Sequence, residues 1–355
     1  MDESVTSYPH VLGKPEGRLP MKAVGYIESL PISDPRALTD MEIAKPEPGP
    51  HDLLVKVAAI SVNPVDTKVR KGRAGTAEAP VILGWDAAGT VEAAGGAVSL
   101  FKPGDAVFYA GSLIRPGTNA EYHLVDERIV GPKPTKLSFI EAAAMPLTAL
   151  TAYEMLFDRL EIVRGEGGKS LLIIGGAGGV GSIAIQLARK LTGLTVIATA
   201  SRPETVAWAK KLGAHHVIDH RKSIPAELTA IGFKDVDYIF STNASDHHWE
   251  AITAAIAPQG KIGLIDDPEP IDVRMLKRKS ASLHWELMYT RSLFETKDIA
   301  RQHEILTEVA QLIDEGKLQS TLAESFGTIN AANLKRAHAL LESGRSIGKI
   351  VLNGF

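Results

Sequence analysis

The chain has no cysteine among its 355 residues, which rules out disulfides and thiolate metal ligands. It also lacks a dominant charge: 39 Lys and Arg face 42 Asp and Glu, a net charge of −3. A general affinity for nucleic acid, which needs a basic surface, is therefore not expected. No apolar run approaches the ~20 residues that a membrane span requires, so no membrane partner is expected either. Internal repeats and low-complexity tracts are missing. Residues 1–20 lack an apolar signal core and carry Asp2 and Glu3. They are expected to form a flexible extension, and the protein to be cytoplasmic.

What remains is a soluble-type composition, 45% hydrophobic and 23% charged, on a chain long enough for two domains. The stretch 171–187, LLIIGGAGGVGSIAIQL, organises the rest. Leu171, Leu172, Ile173 and Ile174 form the short aliphatic run of a strand buried on both faces. Gly176, Gly178 and Gly181 follow at G-x-G-x-x-G spacing, with Gly179 and Val180 between them. Ile183, Ala184, Leu187 and Ala188 then recur at helical spacing. In such a turn one glycine allows the bend, one lets backbone approach a pyrophosphate, and one lets helix and strand pack closely. The helix start presents free N–H groups to the phosphates. These five residues, 176 and 178–181, are the candidate dinucleotide cradle.

From 21 to about 139 the pattern is short strands separated by turn signals such as Glu47-Pro48-Gly49-Pro50, which reads as a partly closed β domain. Helical character appears over 139–157, interrupted at Pro146. From Lys169, six strands alternate with crossover segments, which implies a parallel, doubly wound α/β sheet. A long helix over 298–314, a segment at 325–329, a helix over 331–341 and a last strand at 348–352 follow. That lone terminal strand has to pair with the first domain, making it discontinuous. The expected limits are 1–20 for the extension, 21–146 and 293–355 for the β-rich domain, and 147–292 for the nucleotide-binding domain.

The second strand, TVIATA, ends in Ser201-Arg202-Pro203, where NAD enzymes usually place a carboxylate. Ser201 and Arg202 can instead donate to a 2′-phosphate, with His220 closing the pocket, so NADPH is favoured. The other reading of Arg202 is a solvated helix-start residue. Asn243, at the carboxyl end of the fourth strand, is a further cofactor contact. His247 either caps the next helix or lines the substrate site. His215 and His216 point to opposite faces of a strand and suit surface positions.

The phrases VNPVDTKVRKG (62–72), GWDAAGTVEAAG (84–95), PLTALTAYEML (146–156) and GKIVL (348–352), with GGAGGVG, carry a resemblance. Over residues 21–355 the chain resembles the medium-chain dehydrogenase/reductase superfamily, in particular its zinc-independent quinone oxidoreductase and zinc-type alcohol dehydrogenase-like branch. The resemblance implies a Rossmann sheet plus a discontinuous GroES-like catalytic domain, a substrate between the domains and a homodimer formed through the nucleotide-binding sheet. The positions of the family's zinc ligands are occupied by Asn63, Trp85 and Leu147, and Val65 replaces its proton-relay hydroxyl. No metal is expected. Without a Lewis acid, reduction of a quinone or an α,β-unsaturated carbonyl is the feasible reaction. The resemblance places Asn63 and Asp66 beside the nicotinamide and Thr148 on the cofactor. Asn63 would bond the substrate oxygen or nicotinamide ribose. Asp66 is catalytic or caps its loop, and Tyr109 donates to a substrate carbonyl or packs in the core. Two other readings stand beside this one: a zinc alcohol dehydrogenase, and a non-catalytic NADPH-binding structural or regulatory protein.

Overall fold

The computed structural model describes residues 19–355. The expected extension thus lies outside the described residues except for Leu19 and Pro20, and Pro20 opens the first strand, Pro20–Tyr26. Packing divides the chain into two units, one of them Thr148–Met288 and the other running up to Leu147 and resuming at Tyr289–Phe355. The sequence reading draws the second limit four residues later than the packing does.

In the unit Thr148–Met288, the aliphatic run becomes the strand Gly167–Ile174, with Leu171–Ile174 buried on both faces. Five more strands join it, all parallel: Gly193–Thr199, His216–Ile218, Val236–Ser241, Ile256–Leu264 and Ser282–Trp285. Numbered along the chain, their spatial order is 3-2-1-4-5-6. The order reverses between Gly167–Ile174 and Val236–Ser241, and that switch point is where ligands sit in doubly wound sheets. Helix Gly179–Leu191 buries Ile183, Ala184, Leu187 and Ala188 against the sheet. Each of its large aliphatic side chains contributes about 1.5–3 kcal/mol by leaving water. On the other face Trp249, Ile252 and Leu228 pack on Leu172, Ile239 and Ile262.

The other unit is built on Asp52–Val62, an eleven-residue strand. It pairs antiparallel with Asp86–Ala94, with Tyr122–Asp126 and with the terminal strand Lys349–Asn353. The last strand therefore returns to the first domain, as its isolation in the sequence requires. A smaller sheet holds Pro20–Tyr26 between Thr39–Ala44 and Val81–Ile82.

Local departures have local causes. Pro146 does not break a helix but starts one, Pro146–Tyr153, because a first-turn residue needs no N–H partner. The chain then continues as a π-helical turn, Glu154–Arg159, which no periodicity announces. The long helix begins at Arg301 rather than 298. The segment expected at 325–329 is a strand at Leu322–Ser325, beside Lys349–Asn353. Among the described residues no helix is long and apolar enough to cross a membrane.

Candidate functional site

The glycine turn lies at the carboxyl end of Gly167–Ile174. Gly175, not singled out by the spacing, carries the bend, with φ +83°. A Cβ there would lie 2.2 Å from Thr242 Oγ1 and 2.5 Å from Asn243 Oδ1, so only glycine fits beneath those side chains. The doublet Gly175-Gly176 was the available signal. Gly176 instead serves close packing, since its Cβ would lie 2.7 Å from Ala198 Cβ. Gly181 does the same between helix and strand, 2.3 Å from Gly175 O. Gly178 differs: its nearest neighbour would be Gly175 O at 3.5 Å, leaving open space above the N-cap of the helix. No side chain caps that helix, so the first-turn N–H groups of Gly179, Val180 and Gly181 face outward with the positive end of the dipole. Thr199 braces the turn by accepting from the N–H groups of Gly175 (3.0 Å) and Gly176 (3.1 Å). The turn and Asn243 are thus brought together.

At the ends of the second and third strands, Arg221 forks onto Asp219 and donates to the Ser201 carbonyl at 2.9 Å. Those bonds hold the Asp219 carboxyl down at about 2. Arg202 caps its helix through the backbone, and its guanidinium pairs with the exposed Glu204, Nε to Oε1 3.3 Å. An exposed pair of that kind is worth about 0–1 kcal/mol. His220 lies beside His248, ring centroids 6.0 Å apart, and its Nδ1 is buried without a partner. Burial pushes His220 below the ordinary histidine value. The residues present fit a dinucleotide: a cradle without side chains, outward N–H groups and an arginine near the ribose corner. Thr148 is buried at the start of this unit.

The catalytic candidates lie in the other unit, and their roles change. Asp66 sits at the third position of helix Pro64–Gly72, where its Oδ2 accepts from Asn63 N at 2.6 Å and its Oδ1 from Gly84 N at 2.9 Å. Burial pushes Asp66 up to about 7, against those bonds and the nearby Lys349 charge. Of its two readings, the loop cap is the one its bonds describe. Asn63 donates its amide hydrogens to Ser61 O (3.3 Å) and Asp86 Oδ2 (2.9 Å), and its Oδ1 accepts from the Lys349 ammonium. Lys349 also donates to Val62 O (2.9 Å) and Asp86 Oδ2 (3.1 Å), and Asp86 Oδ1 accepts from Leu147 N (2.7 Å). Burial pushes Asp86 up and Lys349 down, and their mutual attraction opposes both shifts. The network is closed. Asn63 has no donor left for a substrate oxygen or a ribose, a correction to its expected role.

Of the two readings of Tyr109, packing in the core is the one its surroundings describe. It is fully buried, its ring stacks on His123, and its hydroxyl lies 3.2 Å from His123 Nδ1. His123 Nε2 donates to Pro116 O, so Nδ1 is the acceptor and Tyr109 the donor. Burial holds His123 neutral, down to about 4.

The zinc-ligand positions do not fit a metal. Asn63 is bonded throughout, Trp85 offers only an N–H, and Leu147 has no side-chain donor atom. Among the described residues no three His, Cys, Asp or Glu side chains gather into a metal-binding group.

Comparison with known proteins sets these units in context. Residues 49–135 match the family described as the alcohol dehydrogenase GroES-like domain, and residues 212–352 the one described as zinc-binding dehydrogenase. The zinc-type alcohol dehydrogenase-like protein SAS2087 of Staphylococcus aureus is 44% identical over 94% of this chain and 100% of its own. A crystal structure from Rhizobium etli, described provisionally as a zinc-dependent alcohol dehydrogenase protein, superposes with a TM-score of 0.92. It is 55% identical, over 95% of this chain and 99% of that one. The 2-methylene-furan-3-one reductase of Solanum lycopersicum is 40% identical over 52% of this chain and 48% of its own. The expected fold, a Rossmann sheet with a discontinuous GroES-like domain, is borne out.

Proposed function

Since the chain belongs to the medium-chain dehydrogenase/reductase superfamily and is an oxidoreductase of that kind, we propose that it is a zinc-free, NADPH-dependent reductase of quinones or α,β-unsaturated carbonyls. The closed network of Asp86, Asn63 and Lys349, with Trp85 and Leu147 beside it, carries the reading. Where a Lewis acid would sit, the side chains are bonded to one another or offer no metal donor. An unactivated alcohol needs such an acid to stabilise its alkoxide, whereas a conjugated acceptor spreads the incoming charge and needs only hydrogen bonds. The tomato relative, by its name, reduces an acceptor of that class.

The bound coenzyme supplies the hydride. Gly178 leaves room for the pyrophosphate, and the N–H groups of Gly179, Val180 and Gly181 donate to it. Ser201 and Arg202 hold the 2′-phosphate, and His220, Asn243 and Thr148 complete the cofactor contacts. We also read the protein as a homodimer formed through the edge strand Ser282–Trp285.

The test is spectrophotometric: NADPH loss is followed against a panel of quinones, enones, aldehydes and alcohols, with metal analysis of the same preparation. Turnover confined to quinones or enones by metal-free protein supports the reading. About one tightly bound zinc per chain sinks it in favour of the alcohol dehydrogenase, and NADPH binding without any turnover favours a structural or regulatory role.

A further inference from the structure

With Asn63, Asp66 and Tyr109 all bonded within their unit, the reacting oxygen of a substrate needs other donors. Two polar atoms beside the closed network are buried and have no hydrogen-bond partner: the Tyr289 hydroxyl and Trp85 Nε1. Their rings meet edge to face, centroids 6.4 Å apart at 71°. Trp85 directly precedes Asp86 of that network. A buried donor left unsatisfied costs about 1–3 kcal/mol, so two in one aromatic pair are a standing penalty unless a ligand answers them.

We propose that Tyr289 Oη–H and Trp85 Nε1–H are the donor pair that receives the carbonyl oxygen of the acceptor. The assignment deepens the reductase reading and rests on it. Hydride forms a C–H bond at the β-carbon of an enone, the C=C π pair becomes the new double bond between the α- and carbonyl carbons, the C=O π pair moves to the oxygen, and the two donors hold the resulting enolate while keeping their own protons. Water then supplies one proton to the α-carbon, giving the saturated ketone. Burial, with the charges of Asp86 and Asp66 nearby, raises Tyr289 well above the ordinary tyrosine value, so its hydroxyl stays protonated and able to donate.

The probe is p-nitrophenolate, a conjugated oxyanion, titrated by absorbance into the coenzyme-free protein, with enone turnover measured in parallel. Tyr289→Phe and Trp85→Phe are each expected to weaken phenolate binding at least ~10-fold, and to lower enone kcat by roughly 10²–10³, the usual loss for one oxyanion donor. Tyr289→Phe removes a hydroxyl with no partner, so its melting temperature should equal or exceed that of the parent protein. Tyr238→Phe, which loses a bond to Glu166 in the other unit, is the control and should bind phenolate normally. Equal phenolate affinity in Tyr289→Phe and the parent, or no binding to the parent, overturns the assignment and leaves the hydroxyl a site for an internal water only. If no quinone or enone consumes NADPH while phenolate binding still depends on both residues, the reductase reading fails and the oxyanion site stands.

Discussion

Lys349, on the last strand, reaches Asp86 at 3.1 Å across 263 positions of sequence, with both side chains buried. All three ammonium hydrogens have acceptors: Val62 O, Asn63 Oδ1 and Asp86 Oδ2. The pair fastens the returning strand to the first part of its domain. Removing one partner of a buried ion pair leaves an uncompensated charge, which costs about 3–5 kcal/mol. Lys349→Met should lose about that much stability in urea unfolding. Adding Asp86→Asn, which keeps an acceptor for Leu147 N, should restore most of it. Additive losses in the double variant would mean that the two side chains are not coupled.

Arg202→Ala tests the coenzyme. A charge-assisted bond to phosphate is worth about 1.5–3 kcal/mol, so NADPH affinity should fall roughly 10- to 100-fold in a fluorescence titration. NADH affinity should hardly change. Equal losses for the two coenzymes would place Arg202 away from the 2′-phosphate.

Two glycines of one motif should fail in different ways. Gly178 has open space around it, so Gly178→Val should fold, with normal circular dichroism and melting, yet lose dinucleotide binding. A Cβ on Gly181 would meet the Gly175 carbonyl at 2.3 Å and the Gly176 Cα at 2.8 Å, both backbone. Gly181→Ala should therefore melt earlier or fail to fold. A folded Gly178→Val that still binds NADPH would make the turn purely structural.

The dinucleotide turn was legible because its signals are local: a four-residue aliphatic run, fixed glycine spacing and a helical repeat all fall within 171–187. The doubly wound sheet followed from the same alternation repeated down the chain. The first domain's chemistry was not legible, because its bonds join residues far apart in sequence. N-P-V-D shows that Asp66 can cap, but nothing near Asn63 shows that Lys349 occupies its amide oxygen. Tyr109 alternates correctly for a strand, and only the structure brings His123 against its hydroxyl. Tyr289 has no local signature at all, since it becomes distinctive only through a buried hydroxyl that lacks a partner.

The edge strand Ser282–Trp285 has a neighbour on one side only, and Trp285 (53% exposed) and Leu287 (50%) stand open beside it. Exposed apolar side chains on an unpaired edge invite a second copy. Sedimentation should find a dimer, and Trp285→Asp should shift it to monomer with the fold intact. A monomeric parent protein would remove this part of the reading.

Two buried histidines of the GroES-like domain should each lend stability that acid removes. His123 is held down to about 4 and His338 to about 3, both chiefly by burial, against an ordinary value of 6.5. At these two groups the unfolded chain therefore binds more protons than the folded one below about pH 6.5. The stability both histidines lend is present above that value and is lost as pH falls toward 4 and 3, at up to about 1.4 kcal/mol per pH unit for each. Asp66, raised from 3.8 to about 7, works the other way, since the folded state holds its proton more tightly and stability falls as pH climbs through that window. Asp86, which burial also raises, acts in the same direction as Asp66, so the histidines' share is read from a single variant and not from the net slope. Both ring nitrogens of His338 lack partners, and Arg70 is its charged neighbour. His338→Leu should thus be neutral or stabilising at pH 7 and should visibly flatten the acid limb of the melting curve. An unchanged limb in that variant would show that His338 does not gain its proton on unfolding.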